Sequence, residues 1–164
     1  MNNRENFRSF NIECLDLQDK VFKAVINVWT ENIDNPIIDD VVENKKYEFQ
    51  GEYQIFFLEY RDETGIHYVN FSDRVNNAFY GLCKKIEQRK IKLLIKGCSL
   101  GYYMIPCLQY SIYTTPLILG RRIEKRFMRI SIFEPENDVK NVVTIEKQKN
   151  YYNTWLESIK GLPY

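Results

Sequence analysis

The stretch that most constrains the fold of this chain runs from Tyr53 to Cys98. Residues 53–60 (YQIFFLEY) carry the aromatic and branched side chains that suit a half-buried pleated strand. The polar run Arg61-Asp62-Glu63-Thr64-Gly65 follows and ends on glycine, which is turn chemistry. Residues 66–71 (IHYVNF) return as a second strand, with Ile66, Tyr68 and Asn70 on one face and His67, Val69 and Phe71 on the other. The segment therefore predicts a hairpin. Ser72-Asp73 then offers a helix N-cap, and Val75, Phe79, Leu82, Cys83 and Ile86 recur at helical spacing as one apolar stripe. Arg74, Asn77, Lys84, Lys85 and Gln88 take the remaining positions, the lysines lying where the helix dipole favours cations. Residues 91–95 (IKLLI) read as a short strand, ended by Gly97.

Outside this block the signals are sparser. Residues 20–30 (KVFKAVINVWT) match a strand through Phe22, Ala24, Ile26 and Val28, or a helix turn through Val21, Val25 and Trp29; the branched residues decide for strand. Residues 45–50 (KKYEFQ) form another candidate strand. Gly101 and Pro106 make the start of 98–120 a loop, with a strand expected near 109–114. Residues 127–133 (FMRISIF) alternate as a strand does, up to Glu134-Pro135. Thr144 can cap a C-terminal helix whose buried face is Ile145, Gln148, Tyr152, Trp155 and Ile159, with Gly161 and Pro163 stopping it. Hairpins with few helices between them imply an α+β fold, a mostly antiparallel sheet with two or three helices packed on one side. With no Gly/Pro/Ser-rich linker and no repeat, residues 1–164 are expected to form a single domain.

The first residues, Met1-Asn2-Asn3-Arg4-Glu5-Asn6, hold no apolar segment, and the run Ile55-Phe56-Phe57-Leu58 is too short to span a bilayer, so a cytoplasmic protein with no membrane partner is expected. Cys14, Cys83, Cys98 and Cys107 contain no C-x-x-C pair and are expected as free thiols, Cys83 and Cys107 in the core.

Little in the sequence resembles catalytic machinery. His67 is the only histidine, and with it the four scattered cysteines do not give the close ligand spacing that zinc needs. Gly97 and Gly101 are not followed by the Lys-Ser/Thr of a phosphate loop. No metal or cofactor is expected. Cys98 with His67 is the best nucleophile–base pairing available, which keeps an enzyme as a minor alternative.

Charge carries the remaining signal. Residues 1–80 hold 8 basic and 15 acidic side chains, and residues 81–164 hold 15 and 7, inside a chain of net charge +1. Segment 31–63 is the acidic stretch, with Asp39, Asp40, Asp62 and Glu63 as candidate partner-binding residues. Arg121, Arg122, Lys125, Arg126 and Arg129 form the basic cluster, a candidate contact for a protein or for nucleic acid. The expectation is a non-catalytic protein-binding module that docks by charge complementarity, a character it shares by analogy with small bacterial toxin-neutralising (immunity-type) proteins. Nucleic-acid binding through residues 121–129 is the alternative. The oligomeric state is left open.

Overall fold

The computed structural model describes residues 3–162. Its centre is a five-stranded antiparallel sheet in the order β6-β5-β2-β1-β7. β1 (Glu5–Leu15) and β2 (Val21–Asp34) form a long hairpin, and β5 (Glu52–Asp62) pairs with the other side of β2. A small hairpin of β3 (Ile37–Asp40) and β4 (Lys45–Glu48) is inserted between β2 and β5 as a separate arm. β6 (His67–Ser72) completes the meander at one edge, and β7 (Lys92–Leu93) closes the other against β1.

Alternation along these strands sorts the side chains into two faces. Phe10, Ile12 and Cys14 of β1, Ala24, Ile26 and Val28 of β2, and Leu58 and Tyr60 of β5 point inward and enter the core. Against this inner face lies α1 (Val75–Glu87), which carries the chain from β6 at one edge to β7 at the other. Because the sheet covers one side of α1 and the C-terminal half covers the other, the helix is buried on nearly every face, not along a single stripe. Asn77, which the apolar periodicity puts on a polar surface, is fully buried instead. Its amide is satisfied by the Val41 N–H, the Asp39 carbonyl and the Ser72 hydroxyl, so a buried polar group carries its hydrogen bonds with it.

The start of α1 also departs from the sequence reading. Arg74 is the N-cap residue and no side chain caps the helix; the Val75 and Asn76 N–H groups donate to the Gln109 carbonyl. A loop from distant sequence has replaced the local cap that Ser72-Asp73 offered.

The C-terminal half holds less regular structure than its alternating patterns suggest. The strands expected over 109–114 and 127–133 shrink to one short pair, β8 (Tyr113–Thr114) with β9 (Ile130–Ser131), and the strand expected over 91–95 shrinks to β7. These segments are held by packing on α1. Tyr103 stacks on Tyr80 at 4.6 Å between centroids, Phe133 meets Phe79 edge-on, and the Met104 N–H donates to the Tyr80 hydroxyl at 2.6 Å. Gly97 is required there, since a Cβ would stand 2.8 Å from both Ile132 and Phe79. α2 (Ile145–Ser158) begins at Thr144, whose side chain accepts from the Lys147 N–H, and buries Ile145, Gln148 and Trp155 toward α1. No helix among the described residues is long and apolar enough to cross a membrane.

Candidate functional site

The four acidic candidates do not form one patch. Asp39 and Asp40 sit on the arm beside the end of β6 and the start of α1, where Asn77 and Arg74 hold them, whereas Asp62 and Glu63 lie at the turn end of β5. Ser72, beside the first pair, stands opposite Phe56, and the strand from Phe56 to Asp62 is about 20 Å long. The two pairs also differ within themselves. Asp40 is 2 % exposed; its carboxylate accepts from the Val42 and Glu43 N–H groups and pairs with the Arg74 guanidinium. Asp62 accepts from the N–H and hydroxyl of Thr64, the Ile66 N–H and the Tyr60 hydroxyl, and these bonds hold its carboxyl below the ordinary range although burial alone would raise it. Asp39 and Glu63 are exposed.

The arm and the adjoining sheet end hold several exposed carboxylates, although on the arm the exposed Lys46 and Lys45 stand opposite Asp39 and Asp40. Asp34 and Glu52 stand directly opposite each other across the β2–β5 ladder, a like-charge pairing that is unfavourable in isolation. Glu43 and Glu48 are exposed nearby, and Glu43 accepts from the Tyr47 hydroxyl at 2.6 Å, which raises the pKa of that phenol. Tyr47, Phe49 and Tyr53 form a chain of ring contacts beside these acids.

Tyr53 belongs to the outer face of the sheet, which neither helix covers. An aromatic ladder crosses that face from Phe7 through Trp29 and Phe57 to Phe71, with centroids 6.2, 5.5 and 5.4 Å apart. Trp29 is buried under Phe7 and the guanidinium of Arg4, which lies 4.1 Å from the ring. Phe7, Phe71, Tyr53 and Val69 remain exposed. Next to the ladder, Glu59 is nearly buried and accepts from Asn27 at 3.0 Å and Arg61 at 3.1 Å, with His67 Nε2 at 2.9 Å. Ser9 extends the network by donating to Asn27. Burial of Glu59 would raise its pKa, but the three partners outweigh it and hold the carboxyl at about 2. Sequence reading missed this network and the ladder. The signal was present in β1, where Ser9, Asn11 and Glu13 alternate with Phe10, Ile12 and Cys14.

The basic candidates sit in the loop 115–129 between β8 and β9, on the C-terminal end of α2. Trp155 donates to the Arg121 carbonyl, and Ser158 accepts from the Gly120 N–H. Arg122 is half-buried and donates to the Leu162 carbonyl at 2.6 Å, where a cation complements the end of a helix. Arg121, Lys125, Arg126 and Arg129 are exposed and form no ion pair among the described residues, so carboxylates of the first half do not neutralise them. Arg129 lies over the Phe127 ring, and Met128 is 64 % exposed beside them.

Cys98 and His67 are not brought together. Cys98 is buried on the α1 side of the sheet, its sulfur 3.8 Å from that of Cys83, while His67 is on the opposite, solvent face. Burial pushes the Cys83 thiol well up and so keeps it protonated. Cys107, expected in the core, is exposed because Pro106 starts a 3-10 turn that leaves it on the surface. Among the described residues no group of three or more His, Cys, Asp or Glu is placed to hold a metal ion. Compared with known proteins, the chain matches no family model and no curated sequence.

Proposed function

We propose that this chain is a non-catalytic protein-binding module, of the toxin-neutralising kind, that engages a basic partner. The docking surface is the outer face of the sheet together with its acidic end. One observation carries this reading: a sheet face that neither helix covers exposes Phe7, Phe71 and Tyr53, and at the end of the same strands Asp34 and Glu52, projecting to the other side of the sheet, face each other and form no ion pair among the described residues. Exposed aromatic anchors beside unneutralised charge are the composition of a protein interface. A basic partner would supply the missing cations and relieve the Asp34–Glu52 repulsion. Of the four acids singled out in the sequence, Asp39 is the one that lies exposed on the arm next to this surface; Asp40 anchors that arm, and Asp62 and Glu63 flank the opposite end.

The test is titration calorimetry against the protein encoded by the neighbouring reading frame, at low and at high salt. Asp34→Lys with Glu52→Lys, and separately Phe71→Ala, should each weaken binding at least about tenfold, and salt should weaken it further. Binding that ignores salt and all three substitutions would remove this reading.

Nucleic-acid binding through the loop 115–129 is kept as a second reading because Arg121, Lys125, Arg126 and Arg129 are free of ion pairs among the described residues. It requires single-stranded RNA or DNA to bind with an affinity that falls steeply with salt. No binding at low salt excludes it.

A further inference from the structure

Between the end of α1 and the start of α2 lies a pit of about 310 Å³. Ile86, Ile91, Leu93 and Val142 form its apolar wall, and the buried Cys83 and Cys98, their sulfurs 3.8 Å apart, complete the lining. Leu17, 71 % exposed, reaches the pit from the β1–β2 turn. This size and this lining are those of a small-molecule site. The Cys83 thiol adds no charge to the lining, because burial keeps it protonated.

The rim is different. Lys90, Lys92 and Lys147 border the pit, are exposed, and place their ammonium groups in no ion pair or hydrogen bond among the described residues. Glu87 is the one carboxylate of the lining. It is already engaged, accepting from the Ile145 N–H at 2.7 Å at the N-terminus of α2. An aliphatic hollow under three unneutralised lysines selects a ligand with an apolar body and an anionic head. We propose that this pit binds an alkyl carboxylate, its chain against Ile86, Leu93 and Val142 and its head group among Lys90, Lys92 and Lys147. Burial of the chain supplies the attraction, and the lysines supply the preference for negative charge over a neutral or cationic head. The proposal concerns a surface separate from the outer sheet face and does not depend on the protein-binding reading.

The test is calorimetric titration of the whole chain with decanoate, decanol and decyltrimethylammonium, each below its micelle concentration and at low salt. Decanoate should saturate one site at least about tenfold more tightly than decanol, and decyltrimethylammonium should not bind. The surface variant Lys90→Glu/Lys92→Glu/Lys147→Glu should erase the advantage of decanoate and leave decanol unchanged. Val143→Trp, at the half-buried edge of the pit, should remove binding of both, with near-ultraviolet circular dichroism and the unfolding midpoint reporting that the fold is retained. Absence of decanoate binding, equal affinity for the three amphiphiles, or a decanoate affinity unmoved by the triple lysine variant overturns the proposal. The lysine variant alters solvent-exposed side chains only, so it decides the matter even if Val143→Trp fails to fold.

Discussion

Nε2 of His67 lies 2.9 Å from Oε2 of Glu59, on the face of the sheet that no helix covers. The strand register brings this about: Glu59 sits opposite Val69 on β6, and His67 sits one pleat further along the same face, opposite Arg61. The carboxylate is therefore served from both sides, by Asn27 across β2 and by His67 across β6.

The folded pKa of Glu59, about 2, lies below the ordinary 4.5, so its contribution is complete above pH 4.5 and fades as pH falls toward 2. Glu59→Gln should cost about 1–3 kcal/mol at pH 7, the lower part of that range if the exposed Arg61 and His67 are well screened. The cost should shrink steadily in denaturant unfolding repeated from pH 6 to pH 2. A cost that does not change with pH would show that the network stabilises by packing and not by charge.

Glu87 should behave in the opposite sense. Burial raises its pKa above 4.5, an effect that the hydrogen bond from Ile145 only partly offsets, so ionisation at neutral pH works against the fold. The penalty is absent below about pH 4.5 and grows as pH rises through the folded value. Glu87→Gln keeps an oxygen to accept from Ile145 and should raise the thermal midpoint at pH 7 but not at pH 4. A lowered midpoint at pH 7 would mean that the helix dipole of α2 outweighs desolvation.

The arm is expected to depend on one ion pair. Asp40 is fully buried as a side chain and Arg74 nearly so, and removing one partner strands the other charge. Arg74→Ala should cost about 3–5 kcal/mol, against less than about 0.5 kcal/mol for the exposed Asp39→Ala. Chemical denaturation of both variants checks this, and near-equal costs would contradict it.

Gly97 offers a steric test. An added Cβ meets the Ile132 Cβ and the Phe79 ring at 2.8 Å, and neither the branched Cβ nor a ring packed between Tyr80 and Phe133 yields easily. Gly97→Ala should cost about 1–3 kcal/mol. Gly120→Ala, with nothing near its Cβ but a φ of +79°, should cost less, about 1 kcal/mol, from backbone strain alone. Thermal unfolding that ranks the two in reverse would refute the packing argument.

The sequence was most readable where local chemistry and tertiary packing agree. Tyr53 to Phe71 alternates and turns at Gly65, and it is the hairpin β5–β6. Thr144 caps α2, and Ile145, Gln148 and Trp155 form its buried face, because that helix lies on the surface and has one side to bury. Readability failed where distant segments supplied the partners. Ser72-Asp73 look like a cap, yet Gln109 serves the first N–H groups of α1. Asn77 looks solvent-facing, yet the arm covers it. The patterns in 109–114 and 127–133 yield a two-residue ladder, since packing on α1 rather than strand pairing orders them. Of the candidate sites, the clustering of Arg121 to Arg129 was written in adjacent residues. The ladder of Phe7, Trp29, Phe57 and Phe71 spans four strands and exists only once register is set.

The double enclosure of α1 bears on how the chain is made. Residues up to 87 hold the whole meander and the helix that lies on it, whereas the material covering the far side of that helix follows later in the sequence. As the polypeptide emerges from the ribosome, Tyr80 and Cys83 wait bare until Cys98, Tyr103 and Met104 have been added. A half-made chain thus presents a greasy stripe to its surroundings, and synthesis of residues 88–133 is the interval in which that stripe is open to aggregation.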